Sequence, residues 1–163
     1  MYHVVVFLHI LAAVVWVGGT VFLSLVLVPV ARRLPPAERA SLITQVGVRF
    51  RTVGWIALAV LVLTGLANAA FRGVTWESVV TGRVLASTWG QTLGLKVALV
   101  AVILGLSALH DFVVGPAASR VATGQATPEA LRRRRQAAWL GRINLVLALV
   151  VLLLAVFLVR GIP

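Results

Sequence analysis

Residues 2–30 read YHVVVFLHILAAVVWVGGTVFLSLVLVPV, an apolar run whose only ionisable side chains are one tyrosine and two histidines. About 20 such residues, wound as a helix, cross the ~30 Å hydrocarbon layer of a bilayer. The run has no basic flank before it and is much longer than the ~7–15-residue apolar core of a signal peptide, so it reads as a retained membrane span. Three more runs follow, at about residues 53–71, 89–114 and 139–159. Backbone groups in lipid must be satisfied within the segment, and the chain is too short for a closed barrel, so all four runs are expected as helices. The expected fold is an all-α integral membrane four-helix bundle, one domain over residues 1–163. Composition agrees: 61% of the residues are hydrophobic, against about 45–50% in soluble domains.

The net charge of +11 would suggest nucleic acid in a soluble protein. Here its distribution points elsewhere. The link between spans 1 and 2 carries Arg32, Arg33, Arg39, Arg49 and Arg51. The link between spans 3 and 4 carries Arg120 and the run from Arg132 to Arg135, with Arg142 at its end. The middle link has Arg72 and Arg83, offset by Glu77. By the positive-inside rule the two basic links face the cytoplasm and both termini face outward. The expected location is a bacterial inner membrane, with the arginine-rich links on anionic headgroups. No nucleic-acid partner is expected.

Sliding the chain by 87 residues sets Pro29 on Pro116, Gly18 on Gly105, Arg33 on Arg120, Tyr2 on Trp89 and His9 on Lys96. Each half is then a helix, a basic link and a second helix, the pattern of a parallel repeat about an axis along the membrane normal.

Ionisable and amide side chains inside hydrocarbon are costly and are the first candidates for function. His9 on span 1, Lys96 on span 3 and Asn68 on span 2 fall near one depth in the outer half. His9 and Lys96 are expected to face each other there. His110, Asp111 and Asn144 fall toward the cytoplasmic end, with His110 roughly 20 Å deeper than His9. One chain therefore cannot bring His9 and His110 to one ion. Seven-residue spacing sets Trp89, Lys96, Ile103 and His110 on one face, and Tyr2, His9 and Trp16 on another. His3 has a separate prospect: a free amino terminus with histidine third can wrap Cu(II) in a square-planar nitrogen set. There is no cysteine, and Met1 is the only methionine, so thiolate metal sites are excluded.

The stretch TWGQTLGLKVALVAVILGLSALHDFVVGP, residues 88–116, resembles the copper-resistance protein D (CopD) family of bacterial inner-membrane proteins through Gly90, Leu93, Lys96, Ala108, Leu109 and Pro116. TGLANA from Thr64 to Ala69 and HILAAVVWVGG from His9 to Gly19 look like the same family. The family often has asparagine where His110 stands and an acidic residue opening the last helix, which Arg134 to Arg142 lacks. His9, Trp16, Gly19, Lys96 and His110 are also similar to the pattern of HemJ-type protoporphyrinogen oxidases.

The first resemblance implies copper transport or resistance, along a path that uses His3, His9 and His110 or partner chains. A periplasmic copper protein or a second copy of the chain is then an expected partner. The second implies a b-type haem held by His9, with Lys96 on a propionate or as second ligand. A structural accessory subunit, with Asn68 and Asn144 as helix glue and Trp16 as packing, is the third reading. No hydrolytic triad, phosphate-binding glycine loop or carboxylate pair is present, so no catalytic residue is assigned.

Overall fold

The computed structural model describes residues 1–114 and 128–161. Four helices among them are long and apolar enough to cross a membrane. Helix α1 runs Tyr2–Ala31 and α2 runs Pro36–Phe71. A short α3, Trp76–Val80, lies in the middle link. Helix α4 runs Thr88–Val114 and α5 runs Pro128–Arg160. Glycine and proline 115–116 and Arg120 lie outside the described residues.

Helix α2 starts well before the apolar run that opens near Val53. Pro36 sits in its first turn, where a missing N–H costs nothing, and Glu38 there favours the helix dipole. Leu42, Val46 and Phe50, each four residues from the next, are half-buried. Phe50 lays its ring on Gly19 of α1. This segment is amphipathic rather than apolar, so hydropathy does not mark it. With 36 residues in α2 and 33 in α5, both helices exceed the hydrocarbon thickness by roughly 20 Å. Arg39, Arg49, Arg132, Arg133 and Arg135 therefore stand on helical extensions and not in loops.

The middle link is ordered by its own hydrogen bonds. Thr75 and Ser78 form a reciprocal capping box on α3. Gly82 takes a left-handed φ of 71° before the 3-10 turn Arg83–Ala86. Ser87 caps α4 by accepting from the Gly90 N–H at 3.1 Å. Gly90 lies against the Val84 carbonyl, where a Cβ has no room.

Helices α1 and α2 pack as one hairpin, α4 and α5 as another, and α1 meets α5. All four spanning helices feed one core of Ala12, Trp16, Ala57, Leu58, Ile103 and Ala148. Three of the six are alanines, which let backbones come close. Large apolar side chains point outward: Leu63, Leu66 and Phe7 are 67%, 66% and 62% exposed. Such a surface is stable only against lipid. The chain is a multi-pass membrane protein with an all-α bundle.

Helix α1 has 21 α-helical residues, Tyr2–Phe22, and then a π segment, Leu23–Leu27. Helix α4 has 21 α-helical residues, Thr88–Ala108, and then a π segment, Leu109–Val114. A shift of 87 residues carries residues 22–27 onto 109–114, and it sets Trp16 on Ile103, both in the core. The π segments of the two helices thus end at matching positions.

Candidate functional site

One end of the bundle carries Met1, Phe71, Thr88 and Arg160, and is called here the terminal end. The other carries the arginine-rich extensions. Polar side chains inside the bundle gather toward each.

At the terminal end His9 faces α2. Its Nδ1 lies 2.8 Å from Oγ1 of Thr64. The Thr64 hydroxyl donates to the Val60 carbonyl at 2.5 Å, one turn back on its own helix. That hydroxyl has one proton, so it accepts from His9, and the His9 Nδ1 carries the hydrogen. His9 Nε2 is then left with a bare lone pair. Gly65 lies beside the ring, where a Cβ would stand in ordinary contact, 3.4 Å from His9 Cε1. Trp16, two turns further along α1, is buried against Gly54, whose Cβ would lie 3.6 Å from its Cδ1.

Lys96 is the only lysine in the chain and is half-buried in α4. Arg72 ends α2, donates from Nη1 to the Leu158 carbonyl of α5 at 3.0 Å, and lies 5.8 Å over the Trp89 ring. Trp89 Nε1 donates to the same carbonyl at 3.3 Å. Asn68 is one turn from Thr64 on α2, and its Oδ1 is buried with no partner. His3 is exposed in the first helical turn, its ring edge-on to Tyr2. Wrapping a Cu(II) ion there would require that turn to unwind, because Val4 and Val5 N–H groups bond to the Met1 carbonyl.

Toward the arginine-rich end, Asp111 is the hub. Its Oδ1 accepts from His110 Nδ1 at 2.9 Å, and its Oδ2 accepts from Trp55 Nε1 of α2 at 3.0 Å. Arg51 donates to its carbonyl at 3.3 Å and lies over the Phe112 ring. Asn144 of α5 donates to Ser107 of α4 at 2.8 Å, and its Oδ1 has no partner. The structure thus keeps His110 and Asn144 apart from the His9 layer. The levels of Trp55 and Thr64 differ by roughly 14 Å along α2. No group of three or more histidine, aspartate or glutamate side chains that could hold a metal occurs among the described residues.

Sequence reasoning passed over Thr64, Arg72 and Trp55. Thr64 stands four residues before Asn68 on one face of a helix otherwise apolar there, a spacing that marks it in retrospect.

Fold and polar inventory define a four-span membrane protein with ionisable groups held inside the bundle. The chain belongs to the copper resistance protein D family: that family's model matches residues 44–158. The matched part holds Thr64, Asn68, Lys96, His110 and Asn144, and His9 precedes it. An uncharacterized protein of Aquifex aeolicus (strain VF5) is 30% identical over 157 residues, covering 96% of this chain and 94% of that one. No solved structure matches the chain.

Proposed function

We propose that the protein handles copper at a bacterial plasma membrane, as a transport or resistance component, with the terminal end facing outward. Copper is its cargo, and His9 is the residue that meets it. The observation that carries this reading is the relay from His9 Nδ1 through Thr64 to Val60, which holds Nε2 bare and oriented. A histidine ligand is commonly fixed in this way by the hydrogen bond of its other nitrogen. Family membership supplies the metal.

Imidazole suits copper, but Cu(I) favours sulfur ligands. This chain has no cysteine and one methionine. The remaining ligands therefore come from a partner, either a periplasmic copper carrier or a second copy of the chain. The arginine extensions sit on anionic headgroups and hold the orientation.

The test is purified protein in nanodiscs, assayed for metal and scanned for absorption. Copper at one equivalent or less, lost in His9→Ala while the bundle remains folded, supports the reading. A Soret band that disappears in the same variant replaces copper with haem. No copper binding in the wild type with any carrier sinks the proposal.

A further inference from the structure

A cavity of about 330 Å³ opens at the terminal end, under the ordered middle link. Arg72, Glu77, Ser78, Arg83, Ser87 and Trp89 are among its walls. Its size is at the lower end for small-molecule sites. Glu77 is the carboxylate of this wall, and it is spent on an ion pair with Arg83. Arg72 is not so engaged. Among the described residues neither it nor Lys96 lies within 4.0 Å of a carboxylate. Arg72 makes a single hydrogen bond, to the neutral Leu158 carbonyl, out of the five N–H donors it owns. Arg72 stands at the rim of a low-dielectric bundle, where an anion against the guanidinium offsets the cost of an unpaired charge. The Trp89 ring adds an apolar wall beside the guanidinium.

We infer that this cavity binds an organic carboxylate. The carboxylate meets the free edge of Arg72, whose planar fork matches two oxygens at once. The apolar body of the ligand lies on Trp89. The inference concerns an anion, not copper, and stands whether or not His9 takes a metal.

The probe is benzoate, with benzamide as its neutral counterpart, titrated calorimetrically into the full chain in phosphatidylcholine nanodiscs. Benzoate is expected to saturate at one equivalent and benzamide not to bind. Arg72→Gln should weaken benzoate at least tenfold. Arg160→Gln, at the same end but outside the cavity, should change it less than twofold. An unchanged thermal midpoint in each variant shows that the fold is kept, and Arg72→Lys serves if Arg72→Gln does not fold: it keeps charge, loses the fork and should weaken binding by an intermediate factor. Equal binding of benzamide, no saturable binding, or an effect of Arg160→Gln as large as that of Arg72→Gln overturns the inference. Loss of benzoate binding when phosphatidylglycerol is added also overturns it, because the anion is then a lipid headgroup.

Discussion

His9 Nδ1 lies 2.8 Å from Thr64 Oγ1, 55 residues away in the chain, and that one contact fixes which histidine nitrogen carries the hydrogen. The relay ends on a backbone carbonyl, so Thr64 cannot turn its proton toward the ring without abandoning Val60.

Thr64→Val keeps the shape and removes the acceptor. Ligand affinity at His9 should fall about 10–100-fold, the usual cost of losing the partner that orients a ligating histidine. Thr64→Ser should stay within a few-fold of wild type. A copper titration of the three proteins checks this, and a Thr64→Val curve overlying wild type would contradict the relay.

Gly19→Ala should cost about 1–3 kcal/mol, because its Cβ enters the space of the Phe50 ring. Phe50→Leu on its own should cost about 1 kcal/mol or more through lost packing. Together they should cost less than their sum, because the smaller side chain vacates the space the methyl needs. Unfolding in mixed micelles measures the cycle, and strict additivity would place the two residues out of contact.

Asp111→Leu leaves the Trp55 and His110 N–H groups without acceptors, and each half-buried orphan costs about 1–3 kcal/mol. Asp111→Asn retains one acceptor oxygen and should lose less. The expected order of stability, by denaturant unfolding, is wild type, then Asp111→Asn, then Asp111→Leu. Equal midpoints for the two aspartate variants would show that the carboxylate joins nothing.

Orientation is tested by labelling, which is clean because the chain has no cysteine of its own. Trp76→Cys should react with an impermeant maleimide in intact cells, and Arg133→Cys only after permeabilisation. The opposite pattern would invert the proposed topology.

How much of this was open to reading can be judged residue by residue. The four spans are legible because each is a long apolar run, and only a helix can carry such a run through lipid. Helix α2 before Val53 is not legible in that way, since Leu42, Val46 and Phe50 bury one face while Ser41, Gln45 and Arg49 keep the other polar. His9 and Lys96 stand out because charge in hydrocarbon is rare. Thr64 does not, because a hydroxyl bonded to its own helix is cheap in an apolar segment. Asp111 is adjacent to His110 in the chain, and that pairing is visible by inspection. Its bond from Trp55 crosses between hairpins 56 residues apart, and no local pattern announces it. The π segments likewise have no composition of their own to mark them.

Those segments give α1 and α4 a built-in swivel. A π turn holds roughly one residue more than an α turn, and passing the surplus residue one turn along rotates the helix on one side by about 100° while the other side stays still. In both helices the still side would carry the terminal-end chemistry, His9 in α1 and Lys96 in α4, and the turning side would carry Leu27 and Asp111 toward the arginines. An α-helical path without the surplus residue would turn the arginine-end face of each helix by roughly 100° relative to its terminal-end face.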